Sequence, residues 1–275
     1  MKKIFIKLAK ILGYEIIDQN NFKSPTLNKD LNEDLSDFNK KSIVLPLGEV
    51  KITKKIRSLL IIFRTNTNVE IWDQNKKRLF ECPKIEYATR ALNSLLKSIK
   101  LLEKKIPHIK INTIIVDDHS TDENLSRIKK IINNSENINF VSLNHDKYKS
   151  IIKEQKKLET FSNLASLLQS FELAKEKGDD LIFFVEDDYL HFDSMLEEMI
   201  FSYQRISSQI NKDLFMCPSD YPYLYMDNNQ TNILIGNKRH WRTVDKTLCT
   251  FLTSIELLNK YWENFKKTCL DRNDP

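Results

Sequence analysis

Four short, largely apolar runs, each followed by a longer stretch with helical spacing, set the limits on how this chain can fold. They occupy residues 59–63, 111–116, 138–143 and 181–185. The first is too short for a helix and reads as a strand buried on both sides, and the other three read as further strands. The intervening segments change period. Pro83 opens a helix with apolar residues at 85, 88, 92, 95, 96, 99 and 102. Ser120-Thr121-Asp122-Glu123 reads as a capping box before Leu125, Ile128, Ile131 and Ile132. Leu158, Phe161, Leu164, Leu168 and Phe171 mark a third helix. Parallel neighbours need crossover connections, and here the crossovers are the helices, so the expected fold is an open, mostly parallel α/β sheet with helices on both faces.

After residue 210 the pattern is less regular. Strands are expected at 214–218 and 233–235, then a helix capped by Thr253 with Glu256. At the other end, residues 1–17 form an amphipathic helix with Ile4, Leu8, Ile11 and Leu12 on one face and Lys2, Lys3, Lys7 and Lys10 on the other. Such a helix either lies on an anionic membrane or packs on the domain. Residues 18–50 read as a polar linker, 51–205 as the ligand-binding α/β half, and 206–275 as an acceptor-side region that ends without a closing element.

The bulk properties exclude several classes. A net charge of +5, made of dispersed lysines without an arginine-rich block, suits an anionic ligand or membrane surface and does not call for nucleic acid. Four cysteines without a CxxC pair indicate neither a zinc ribbon nor a disulfide framework, so the expected setting is reducing and cytoplasmic, with the inner membrane face as a peripheral site. No run approaches the roughly 18 apolar residues of a membrane span. GxGxxG, GxxxxGK[ST] and GxSxG motifs do not occur in the sequence.

In open α/β sheets ligands bind beyond the carboxyl ends of the strands. Three of the four runs end in notable polar groups: Arg64-Thr65-Asn66, Asp117-Asp118-His119-Ser120, and Glu186-Asp187-Asp188. Three consecutive carboxylates after an apolar strand resist desolvation unless a positive charge joins them, and a divalent cation is the expected partner. Strand alternation would place Glu186 and Asp188 on one side as oxygen ligands for Mn²⁺ or Mg²⁺, working with a bound diphosphate. The bland alternative is a solvated acidic turn ahead of a helix. A carboxylate at Asp118 would accept the N–H of a base or hold a ribose hydroxyl; the alternative is an ordinary capped turn.

These motifs, together with Leu60-Ile61-Ile62-Phe63-Arg64-Thr65, Arg90-Ala91-Leu92-Asn93-Ser94-Leu95 and Phe184-Val185-Glu186-Asp187-Asp188-Tyr189 followed by Asp193, resemble family-two-like GT-A glycosyltransferases, with the DXD motif in an EDD form. The resemblance covers residues 58–205. It implies a nucleoside-diphosphate sugar donor, with Asp118 on the nucleoside, Asp187 near the ribose or sugar and Asp188 on the metal. Arg64, Thr65 and Asn66 would complete the donor site, and the acceptor would be a glycan or a lipid-linked sugar. For the rest, Asp220 is the expected base, with Asp245 and Asp271 behind it. His240 is a further metal ligand or a structural histidine, Trp241 a stacking or core residue, and Arg242 and Lys246 diphosphate partners or surface charges. Two other readings stay open. One is a catalytically silent GT-A-like protein in envelope polysaccharide assembly. The other is a sugar-phosphate nucleotidyltransferase, which would be expected to carry a Gly-rich loop where residues 65–81 hold no glycine.

Overall fold

The computed structural model describes residues 2–14, 38, 41–44, 48–68, 82–133, 137–153, 158–221, 224 and 231–271. The chain divides into two units, Met1–Asp34 and Leu35–Pro275. In the first, α1 (Lys2–Ile11) carries the expected amphipathic pattern, and its Ile4, Phe5, Leu8 and Ile11 are exposed. Residues 15–17 of the expected helix and most of the expected linker lie outside the described residues. The end of that linker segment contains a short antiparallel pair, β1 (Lys41–Val44) with β2 (Gly48–Lys51).

The second unit is built on a five-stranded sheet. Its strands are β3 (Ser58–Thr65), β4 (Lys110–Asp117), β5 (Ile138–Ser142), β6 (Leu181–Glu186) and β9 (Phe251–Ser254), in the order β5-β4-β3-β6-β9. The first four are parallel and β9 runs antiparallel to β6. Between them come α2 (Lys84–Lys105), α3 (Asp122–Ile132), α4 (His145–Lys149), α5 (Leu158–Lys177) and α6 (Met195–Ile210). A hairpin of β7 (Ile233–Ile235) and β8 (His240–Arg242) precedes β9, and α7 (Ile255–Lys260) and α8 (Trp262–Asp271) follow it.

The apolar runs are continuous because each strand feeds two cores. Leu59, Ile61 and Phe63 of β3 join Leu181, Phe183 and Val185 of β6 under α2 and α6. Leu60 and Ile62 join Ile182 and Phe184 on the other face with α5, Leu258 and Cys269. This is the two-sided burial expected of central parallel strands. On α2 the predicted positions 85, 88, 92, 95, 99 and 102 are all buried, and Leu96 is half-buried against the same core.

Four expectations need correction. Residues 214–218 do not form a strand. Among the described residues they meet the sheet through one antiparallel bridge, Met216 with Leu252, beside a ring contact of Phe215 with Phe251. The caps shift by one residue: Thr121, not Ser120, caps α3 by accepting from Asn124 N–H, and Ser254, not Thr253, caps α7 by accepting from Leu257 N–H. Ser120 is spent elsewhere, its hydroxyl accepting from Thr67 N–H. Finally, the boundary expected after residue 205 falls inside α6, whose residues 195–207 are all buried.

That helix is buried all round because a second layer lies on it. The Glu198 carboxylate accepts the backbone N–H groups of Asn237, Lys238 and Arg239 and the Trp241 indole N–H, fastening the β7–β8 hairpin to α6. At Gly236 a Cβ would come 2.5 Å from both Ser202 and Trp241, so this close approach requires glycine.

Candidate functional site

In the order β5-β4-β3-β6-β9 the chain leaves β3 in one direction to β4 and β5, and later returns on its other side as β6. The topological switch point therefore lies between β3 and β6, and a crevice outside their carboxyl ends is where an open α/β sheet binds its ligand. The strand ends lie level there, with Arg64 paired to Glu186 and Thr65 to Asp117. The two motifs flanking the switch point, after β3 and β6, are two of the three singled out by their polar strand ends.

Arg64 is buried, 7% exposed, and points toward α5. Its guanidinium donates to Glu186 at 2.9 Å and to the Asn163 backbone and side-chain oxygens at 3.4 Å. Burial pushes the Glu186 carboxyl up, against the pull of Arg64. On the other side of the crevice Asp187 accepts from the Thr65 hydroxyl at 2.9 Å, the Asn66 N–H at 3.2 Å and the Lys84 ammonium at 2.6 Å. Burial also raises the Asp187 carboxyl, with Lys84 opposing. Asp188 is 56% exposed, with Lys84 at 4.0 Å.

This geometry changes the expected charge balance. Two of the three carboxylates already have protein cations, Arg64 and Lys84, and the chain turns at Asp187-Asp188, so strand alternation ends at Glu186. Asp188 stays open to a hard cation, whereas Glu186 would have to share its carboxylate with Arg64.

Asn66 joins the two halves. Its backbone N–H binds Asp187 while its side-chain amide donates to Asp118 Oδ2 at 2.9 Å. Asp118, 3% exposed, follows β4 directly and donates its own N–H to Thr65 O. Its second oxygen, Oδ1, meets His119 Nδ1 at 3.0 Å and His145 Nε2 at 2.8 Å. The preceding Asp117 shapes this turn: its Oδ2 accepts the Ser120 N–H at 3.1 Å, and burial pushes its carboxyl up.

Asp220, His240, Trp241 and Arg242 line a separate cleft of about 410 Å³, with Cys217 and Ser219. Asp245 and Lys246 are not part of its lining, and the Asp271 side chain lies outside the described residues. Asp220 and Arg242, expected in different roles, pair with each other, Arg242 donating from two nitrogens to Asp220 Oδ1 at 2.8 and 3.2 Å. The cleft is linked to the switch point by a hydroxyl–hydroxyl contact of 2.6 Å between Tyr189, next to Asp188, and Tyr221, next to Asp220. Trp241 packs against the core and donates to Glu198 while also lining the cleft. His240 is exposed on the hairpin, outside the carboxylate–imidazole cluster around Asp118.

Sequence reasoning missed Lys84 and His145. Lys84 had a signal: a lysine in the first turn of a helix opposes the dipole by about 0.3–1 kcal/mol, so it needs a compensating partner. His145 follows the end of β5, the one strand end left out when polar residues after the runs were considered.

The chain is thus an α/β protein with a charged crevice at the switch point of its sheet. No family model matches the chain, and no curated protein sequence matches it. Among solved structures it is similar to the galactosyltransferase LgtC in complex with donor and acceptor sugar analogues, at 12% identity and TM-score 0.34 over 76% of this chain and 65% of that one. An active-site mutant of LgtC matches at 16% identity and TM-score 0.27, covering 50% of this chain and 40% of that one. A structure from Desulfovibrio desulfuricans G20 assigned to the nucleotide-diphospho-sugar transferases matches at 10% identity and TM-score 0.28, covering 59% and 58%. The chain thus spans 40% to 65% of the length of these structures, and at such scores the likeness carries no weight beside the sheet topology itself. Among the described residues no helix is long and apolar enough to cross a membrane.

Proposed function

We propose that the chain is a GT-A type glycosyltransferase that moves a sugar from a nucleoside-diphosphate sugar to a glycan or lipid-linked acceptor. The observation that carries this reading is Asn66, which ties Asp118 and Asp187, 69 residues apart in sequence, into one crevice at the switch point. Asp118 would face the nucleoside and Asp187 the ribose or sugar. Thr65 holds Asp187 through its hydroxyl, and Arg64 holds the neighbouring Glu186. Asp188, the exposed member of the trio, would hold Mn²⁺ or Mg²⁺ against the diphosphate, since a hard cation takes carboxylate and phosphate oxygens. Asp220, across the Tyr189–Tyr221 contact, would take the acceptor proton, and Arg242 would release it to meet the diphosphate as the acceptor enters.

A thermal-shift screen of nucleoside diphosphates and their sugars, with and without Mn²⁺, tests the donor class, because a ligand that binds only the folded state raises its melting temperature. The expected result is a Mn²⁺-dependent rise for one nucleoside diphosphate, abolished in Asp188→Asn with the fold intact. A wild-type shift that Asp188→Asn leaves unchanged would remove the metal role of Asp188. No shift with any nucleotide would remove the donor assignment.

A further inference from the structure

We propose that Asp118, His119 and His145 form a transition-metal site, distinct from the carboxylates after β6. Their three candidate ligand atoms lie within 4.8 Å of one another. Asp118 Oδ1 is the apex, 3.0 Å from His119 Nδ1 and 2.8 Å from His145 Nε2. A four-coordinate ion with bonds of about 2.0–2.1 Å sets its ligands roughly 3.3 Å apart, so the two Asp118–imidazole distances need to open by only a few tenths of an ångström. The imidazole nitrogens are already within 4.8 Å of each other.

The local structure aims these groups together. Neighbouring side chains in an extended segment diverge, yet His119 turns back toward the residue before it, because its backbone sits in the left-handed region at φ 56°. For a residue with a Cβ that conformation is uncommon and costs energy that something else must offset. His145 arrives from the start of α4, just after β5, so the ligands come from two adjacent strand ends. Their rings lie 4.2 Å apart, tilted by 46°, and the Ser162 hydroxyl sits 3.3 Å from His145 Nε2. Asn66 holds Asp118 Oδ2 and thereby presents Oδ1 to the imidazoles, the outer contact that orients a ligating carboxylate.

Two imidazole nitrogens and one carboxylate oxygen select a borderline ion of the Zn²⁺ or Co²⁺ kind over Mg²⁺, which demands oxygen ligands. With Asp118 buried, His145 half-buried and the His119 side chain 62% exposed, the site is anchored on one side and reached from solvent on the other. A fourth position would face the crevice. One carboxylate leaves a divalent ion with net positive charge, so an anionic oxygen is the chemistry suited to that position.

This inference stands on side-chain geometry and does not rest on the proposed sugar transfer, so its test uses no nucleotide. Chelator-stripped full-length protein is titrated with Zn²⁺ by calorimetry, with Mg²⁺ as control, and with Co²⁺ followed by visible absorption. The expected result is one Zn²⁺ per chain, the absorption bands of four-coordinate Co²⁺, and no comparable Mg²⁺ binding. His119→Gly, which relieves the left-handed backbone and therefore folds, and His145→Ala should both lose the site. Asn66→Ala should weaken it by roughly 10- to 100-fold. Asp188→Asn should bind Zn²⁺ like the wild type. Absence of Zn²⁺ binding in the wild-type protein, binding that survives in both histidine variants, or its loss in Asp188→Asn would each overturn the proposal.

Discussion

Lys84, the first residue of α2, places its ammonium 2.6 Å from Asp187, 103 residues further along the chain. The pair is buried, at 14% and 8% side-chain exposure, so neither charge has much water to fall back on. Lys84→Met is therefore expected to cost about 3–5 kcal/mol, the penalty for stranding a buried charge. Adding Asp187→Asn should return much of that loss, because the remaining group is then neutral. Denaturant melts of the two single variants and the double variant measure the coupling. Additive effects would mean that Lys84 contributes through packing alone.

The exposed Asp220 tests the acceptor side. At 57% side-chain exposure its replacement by Asn should cost no more than about 1 kcal/mol, the worth of an exposed ion pair such as that with Arg242. Transfer to the acceptor should fall by about 10² to 10⁴, the usual worth of general-base assistance, while the thermal shift with donor persists. Transfer at the wild-type rate would pass the role to Asp245 or Asp271.

Acid stability should depend on His191. It is buried, its Nε2 has no hydrogen-bond partner among the described residues, and burial lowers its pKa to about 4 from an ordinary 6.5. Between those values the unfolded chain takes up a proton that the native state refuses, so stability is full above about pH 6.5 and is lost as pH falls toward 4. The loss should reach up to ~3 kcal/mol, and His191→Gln should flatten that part of the profile. Urea melts across the same pH range provide the comparison. Parallel profiles for the two proteins would place the acid sensitivity elsewhere.

For α1, four lysines precede the first acidic residue, Glu15, and its apolar side chains are exposed. Weak, reversible binding to anionic vesicles is expected, with roughly 1 kcal/mol per lysine near the surface. Co-sedimentation of full-length protein and of a form lacking residues 1–17 decides it. Equal pelleting would remove the helix from any membrane role.

The sheet was legible because β3 and β6 are buried on both faces, and two-sided burial writes itself as unbroken apolar runs. α6 was less legible. Glu197, Glu198, Gln204 and Arg205 look like a wet face, yet all are buried, Glu197, Glu198 and Arg205 against the β7–β8 hairpin and Gln204 against the Ile56 N–H, partners that only tertiary contacts supply. The same limit applied at the site. The strand-end rule located Arg64, Asn66, Asp118 and the carboxylate trio, but not Lys84 or His145 beside them. That Arg64 turns onto Glu186, and that Lys84 returns from the next helix, follows only once β3 and β6 are neighbours.

Glu198 gives the hairpin a dependence of its own. The amides of Asn237, Lys238 and Arg239 are tied to a side chain of the buried helix α6 rather than to a sheet. Their hydrogen exchange should then report the opening of that helix. The turn would behave as part of the slowest-exchanging unit despite lying at the tip of a three-residue-stranded hairpin. A rigid wall on one side of the cleft beside Asp220 follows, leaving the opposite wall, residues 214–220, with its single bridge to β9, as the side that yields when something enters.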